Sequence, residues 1–261
     1  MKSLQDLFAP RSASPVKYDP VGDDESDNDA SPTTSPISRG LRFLSHPSVF
    51  ALQTLTILFL AAYSIKLHYP SDLACARQLS PYSPYLESED LRYVEFMAQN
   101  HLMQPSPYRG RPTPEIEESW LKLWRVPTIH LPETKLAALN KTPASDYTHV
   151  SPEYGGGVMG FLDVFHQLHC LNLVRQYTYR DEYDYSNVTA FRAPREIVRG
   201  HIDHCIETVR KAIMCTADVT PVLFTKDPHE PSGRSDFNIK KKCRDFARVQ
   251  EWAWQNQGFP G

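Results

Sequence analysis

Residues 161–174 read FLDVFHQLHCLNLV and residues 197–213 read IVRGHIDHCIETVRKAI, and the pattern they share decides the fold. Each holds the run His-x-x-His-Cys, at His166, His169 and Cys170 and again at His201, His204 and Cys205. With ten histidines and five cysteines in 261 residues, the chance expectation is about 0.007 such runs, so two are a signal. Apolar residues surround each run at three- and four-residue intervals: Phe161, Leu162, Phe165, Leu168, Leu171 and Val174, then Ile197, Val198, Ile202, Ile206, Val209 and Ile213. That period is helical, and positions i, i+3 and i+4 share a helix face. The two histidines and the cysteine of each motif therefore project together. Gly155-Gly-Gly before the first helix, and Asn187 to Pro194 between the two, give the chain room to return. The expectation is an antiparallel helix pair with its histidine faces opposed.

Imidazole nitrogen is a good ligand for copper, iron and zinc, and an i, i+3 pair can hold one ion from a single helix. His166, His169, His201 and His204 are accordingly the expected metal ligands and catalytic residues. A transition metal is implied, with copper favoured by an all-nitrogen site and iron the alternative. Asp163 and Glu207 fall on suitable faces to orient the imidazoles from behind. For Cys170 and Cys205 two readings stand: a disulfide between facing helices, which is favoured, or thiolate ligation. Cys215 and Cys243 then form a second disulfide and Cys75 is left over. His130, His149 and His229 are each read as surface histidines rather than further ligands. The competing reading of the whole pattern is a structural zinc or disulfide clamp in a non-enzymatic membrane protein.

Outward from the motifs, the chain falls into three regions. Residues 1–45 read as a disordered cytoplasmic tail, since the acidic stretch Asp19 to Asp29 and the Ser/Thr/Pro run from Ser31 to Pro36 have little apolar surface to offset ordering. Residues 46–68 read as a transmembrane helix. Val49 to Ile65 is free of charge, spans about 25 Å as a helix, and has Tyr63 and Tyr69 as interfacial anchors. Its position nearly fifty residues in argues against a cleaved signal. Lys2, Arg11, Lys17, Arg39 and Arg42 outnumber Lys66 and Arg77 across the span, which favours a type II protein of the secretory pathway with a lumenal C-terminal domain. Sequons at Asn187 and Asn140 agree, although Pro143 weakens the second as a glycosylation site.

Residues 69–261 are then the lumenal working domain, mainly α with minor β and irregular structure. Twenty-two prolines against eleven glycines point to long irregular connections. Helices are expected over Leu86 to Asn100, Pro114 to Trp124 and Leu131 to Leu139, with a closing helix around Trp252 and Trp254. A net charge of −3, with Lys240, Lys241, Lys242 and Arg244 as the one basic run, excludes nucleic acid as an expected partner.

The sequence resembles the UstYa family of fungal proteins. The resemblance rests on Phe165 to Leu171 (FHQLHCL), on the second motif with its helix running to Met214-Cys215, and on Ala217-Asp-Val-Thr-Pro221. Lys242-Cys-Arg-Asp-Phe246 ahead of Trp252, and Pro112 to Trp120 (PTPEIEESW), support it, and the likeness covers residues 45–255. What it implies is oxidative tailoring in fungal secondary metabolism, often of ribosomally made cyclic peptides. Macrocyclisation, hydroxylation, desaturation and halogenation all occur in the family. It also implies a peptide or other secondary-metabolite substrate, and homo- or hetero-oligomers with related proteins. Both motifs are intact, so the implied metal site falls on His166, His169, His201 and His204, with Cys170 and Cys205 beside them.

Overall fold

The computed structural model describes residues 47–228 and 230–259, so the expected tail and His229 lie outside the described residues. The chain divides into two units at Ile65 and Lys66. The described part of the first belongs to helix α1, Pro47–His68. Proline at the first position costs no hydrogen bond there. Thr54 and Thr56 turn their hydroxyls back to the carbonyls of Phe50 and Leu52, both at 2.9 Å, which satisfies two polar groups on an otherwise apolar stretch. No residue of α1 is buried, and the helix is long and apolar enough to cross a membrane. At the helical rise its 22 residues extend about 33 Å, enough for a hydrocarbon core.

The second unit is helical with three small antiparallel pairings. Helix α2 (Asp72–Leu79) is capped by Ser71, whose hydroxyl accepts from the Ala74 amide, and the short α3 (Pro84–Glu87) is tied to it by Arg77, which donates to the Leu86 carbonyl at 2.8 Å. Strand β1 (Tyr93–Met97) pairs with β6 (Lys240–Arg244), in the register Tyr93 to Arg244 and Met97 to Lys240. Helix α4 (Pro114–Trp124) begins at Thr113, which caps Ile116, and carries Glu115 and Glu117 in its first turn. Strand β2 (Ile129–Leu131) pairs with β3 (Val158–Gly160). Gly157 just ahead of β3 has φ +81°, and a Cβ there would fall 2.4 Å from the Leu131 carbonyl oxygen, so only glycine fits.

Helix α5 (Asp163–Thr178) and helix α6 (Arg195–Thr216) pack on each other. The hairpin of β4 (Leu223–Asp227) and β5 (Glu230–Asp236) follows, with a bulge near Thr225. Helix α7 (Phe246–Gln255), capped by Asp245, closes the unit. Two apolar clusters hold these parts. One gathers Tyr85, Leu86, Ile129, Phe165, Val249 and Trp252, joining the N-terminal segment to the start of α5 and to α7. The other lies between α5 and α6 and centres on Cys170, Leu173, Ile202 and Cys205.

The mainly α reading holds, and helix α4 has the expected bounds. Leu86 to Asn100 is a correction: the segment turns at Glu89, whose φ is +65°, and then runs as strand β1. Pairing with the distant lysine-rich β6 overrides its local helical spacing. Leu131 to Leu139 becomes strand β2 followed by a tight 3-10 segment, Glu133–Leu139.

One polar knot crosses the apolar packing. Glu117 on α4 receives Arg175 Nη2 at 2.7 Å on both carboxylate oxygens, Gln176 Nε2 at 3.0 Å and the Tyr185 hydroxyl at 3.0 Å. The Arg175 and Glu117 side chains are 11% and 17% exposed, so this pair lies largely out of water. Burial and the neighbouring Glu117 carboxylate push the Tyr185 phenol well above its ordinary range. Removing one partner of such a pair strands the other charge. Glu117→Ala is therefore expected to destabilise the chain by about 3–5 kcal/mol in chemical denaturation. The double replacement Glu117→Leu with Arg175→Met should recover most of that loss, and equal damage in both variants would contradict the account.

Candidate metal centre

Helix geometry places the first motif. Asp163, His166, His169 and Cys170 follow one another on one side of α5, with Cys170 turned into the seam against α6, where it is fully buried. Cys205 is its counterpart on α6, also 0% exposed, and the two thiols are in hydrogen-bond contact. Cys170 Sγ lies 3.5 Å from His166 Nε2. The ligand atoms of His166, Cys170 and His204 all fall within 4.8 Å of one another, and no other group of this kind occurs among the described residues. The rings of His166 and His204 stand 5.7 Å apart between centroids, and that of His201 is 6.3 Å from His204. The set grades in exposure: Cys170 is buried, His166 half-buried and His204 exposed.

The surroundings tune these donors. Asp163 Oδ1 is 3.6 Å from His166 Nδ1 and its other oxygen accepts from Gln167 at 2.6 Å, so the carboxylate sits behind the ring. Burial, followed by the hydrogen bond and charge of Cys170, pushes the Cys205 thiol up to about 12. Cys205 thus keeps its proton at neutral pH. His169 packs edge-on against Trp124, with ring centroids 4.4 Å apart. Its pKa is lowered by burial first and by His166 and His201 second, and its Nδ1 is buried without a partner. A neutral imidazole with a free nitrogen is the form that binds metal.

The donor set therefore fits a transition metal: two imidazoles and a sulfur converge, and a third imidazole is held neutral beside them. The structure brings together His166, His204 and Cys170, with Asp163 behind His166. His169 and His201 border the cluster rather than completing it. Glu207 is turned away from the histidines, to Arg210 Nε at 2.7 Å and Lys211 at 3.4 Å, and these partners hold its carboxyl down at about 2. Cations at i+3 and i+4 on an exposed face outcompete the imidazole three residues back.

All five cysteines are free thiols. Cys170 and Cys205 meet as thiols rather than as the favoured disulfide, and Cys215 and Cys243 are exposed and unbonded. His149 contacts Glu133 at 3.2 Å, and the His130 ring lies where a Cβ on Gly155 would meet it at 3.0 Å. Neither is at the centre. Asn187 and Asn140 are both exposed.

Sequence reasoning missed the walls of the site. A cavity of about 250 Å³ opens on the α5 histidines, with Trp124, Val126, Phe161 and Phe165 around His166 and His169. Phe161 stands 6.0 Å from the His166 ring. Trp124 carried only the signal of a helix end, and nothing in the spacing linked it to His169.

The chain matches the model of the family described as Mycotoxin biosynthesis protein UstYa over residues 33–256, and it belongs to the UstYa family. It is 61% identical over 220 residues to the UstYa family oxidase phomYc of Diaporthe leptostromiformis, covering 84% of this chain and 86% of that protein. It is 57% identical over 222 residues to phomYc' of the same organism, covering 84% and 79%. A protein named Transacylase cctO, from Talaromyces islandicus, is 36% identical over 188 residues, covering 70% and 62%. No solved structure matches. Family and relatives together support a tailoring oxidase in mycotoxin or secondary-metabolite biosynthesis.

His169 yields a pH prediction for the metal-free protein. Its folded pKa lies below the ordinary 6.5, so below that pH the unfolded chain takes up the proton more readily than the folded one. Stability is then full above about pH 6.5 and declines as the pH falls below it. His169→Gln is expected to flatten this decline in unfolding midpoints measured from about pH 7.5 to about pH 5.5. An unchanged slope would place the imidazole in solvent.

Proposed function

We propose that the protein is a membrane-anchored, metal-dependent oxidase that tailors a secondary metabolite, most simply a peptide. The observation that carries this reading is the convergence of His166, His204 and Cys170. It is supported by membership of a family whose relatives here are named oxidases. Copper is favoured and iron is the alternative, because a soft sulfur with two imidazoles suits copper and imidazole alone suits either. His166, His204 and Cys170 would hold the ion, with His169 and His201 close enough to join as the side chains adjust. A bound ion of this kind supplies one-electron redox chemistry with dioxygen as the oxidant.

The chain's own residues prepare the site. Asp163 behind Nδ1 of His166 fixes the ring with Nε2 towards Cys170. Cys205 packs with Cys170 in the buried seam between the two helices. Trp124 and Phe165 keep water from the buried side of His169. The helices form an antiparallel pair in this reading, since Cys170 meets Cys205 while Tyr177, further along α5, meets the earlier Arg199. Helix α1 is the anchor of a type II protein, which puts the exposed Asn187 in the lumen as a glycosylation site.

Acyl transfer is the second reading, favoured by the relative named a transacylase and by the 3.5 Å approach of Cys170 to His166. A nucleophile must reach its substrate, however, and Cys170 is 0% exposed. Burial decides against it.

The test is metal analysis of the full chain purified in detergent, beside His166→Ala and His204→Ala. Copper or iron in the parent at one equivalent, and its loss in both variants, is the expected result. The copper-loaded protein should show an intense visible sulfur-to-copper band that Cys170→Ser removes. Copper bound without that band would move the ligation to the histidines alone. Zinc alone would favour a structural clamp, and a folded protein without affinity for metal would sink the proposal.

A further inference from the structure

A second cavity, of about 540 Å³, lies beside the histidine cluster and is walled mainly by apolar side chains, among them Tyr82, Tyr85, Leu131 and Phe246. Phe161 lines both this cleft and the smaller cavity that opens on His166 and His169. The ring is 58% exposed and stands 6.0 Å from His166, so this one side chain borders both the cleft and the imidazoles. Asp163, behind His166, lines the cleft as well. The volume suits a small ligand or one or two residues of a peptide.

Two charged groups line the cleft, Asp163 and Arg244, and the cation distinguishes the occupant. Arg244 is exposed, donates to the neutral Ser80 hydroxyl at 3.2 Å, and has no carboxylate within ion-pair distance among the described residues. An apolar trough with a guanidinium that is in no ion pair among the described residues recognises an apolar body carrying an anion, and the planar fork of arginine matches a carboxylate.

We infer that this cleft is the substrate-binding site of the oxidase, with the walls taking an apolar side chain of a peptide, Arg244 taking a carboxylate of the same peptide, and Phe161 setting which residue reaches His166. The inference rests on the reading of the histidine cluster as the reacting centre, and it adds the residues that choose the substrate. Arg244 and Phe161 touch substrate in it, whereas the histidines hold the ion.

The experiment is photoaffinity labelling of the full chain in detergent with an acetylated tripeptide carrying p-benzoylphenylalanine, used as the free carboxylate and as the C-terminal amide. Cross-links are mapped by peptide mass spectrometry. The carboxylate probe is expected to label residues 80–86 and 161–164, and to be displaced by the same tripeptide with phenylalanine in place of the photoreactive residue. The amide should label about fivefold less, the upper end for an exposed ion pair. Arg244→Gln should bring the carboxylate probe down to the level of the amide, and Phe161→Ala should carry cross-links onward to residues 124–128 around His166.

Labelling elsewhere, or equal labelling by the two probes, overturns the inference. The same mapping on the His166→Ala/His204→Ala protein separates the two claims. Cleft labelling that survives there upholds the cleft whatever the metal analysis gives, while a metal-binding protein that never labels in the cleft leaves the centre standing and removes this site.

Discussion

The contact between Cys170 and Cys205 is the constraint on which the rest of the second unit depends. Two small, fully buried side chains at facing positions let helices α5 and α6 approach closely, with Leu173 and Ile202 filling the seam beside them. Every histidine position then follows from helix geometry, since each lies one or four residues before its cysteine. A larger residue at either cysteine would spread the helices and draw His166 away from His204. The seam thus joins packing to the site, because Cys170, fully buried against α6, also lies 3.5 Å from His166 Nε2.

The duplicated motif promises a symmetric site, and the structure departs from it for an identifiable reason. His166 of the first motif meets His204 of the second, and in an antiparallel pair His169 and His201 are the matching partners. Only the first combination gathers with a cysteine among the described residues. His169 is instead engaged by Trp124, which α4 presents to it at 4.4 Å between ring centroids. Helix α4 is held there by the Glu117 knot with Arg175, Gln176 and Tyr185. A buried ion pair on one side of the helix pair therefore breaks the equivalence of two identical sequence motifs.

What was legible in the sequence was local and periodic. The histidine-bearing helices, the cap at Thr113 and the apolar run of α1 each announce themselves within a few turns. The misreadings turn on partners that the spacing does not name, most of them distant in the chain. Leu86 to Asn100 has helical spacing, and it became strand β1 because Lys240–Arg244 pairs with it from the far end of the chain. Glu207 lies on the expected helix, but the choice between histidine and Arg210 belongs to side-chain packing. Trp124 and Phe161 were visible as apolar residues, yet their place around His166 and His169 needed the tertiary fold.

The division of labour in the site bears on how relatives come to carry names as different as oxidase and transacylase. The histidines of both motifs sit on two long helices that pack around the buried cysteines, so on the proposed reading the chemistry is anchored in the most constrained part of the unit. The walls come from elsewhere: the irregular segment 80–86, strand β2, the approach to α5 at Phe161, and the start of α7. Of these parts only Phe161 also borders the small cavity, which is lined by the α5 histidines and not by those of α6. Irregular segments tolerate substitution far better than a helix seam packed around buried sulfur. On the proposed reading, changing the walls would alter which bond is presented to His166 without touching the ligands, and reaction type would then be a property of presentation rather than of the donor set.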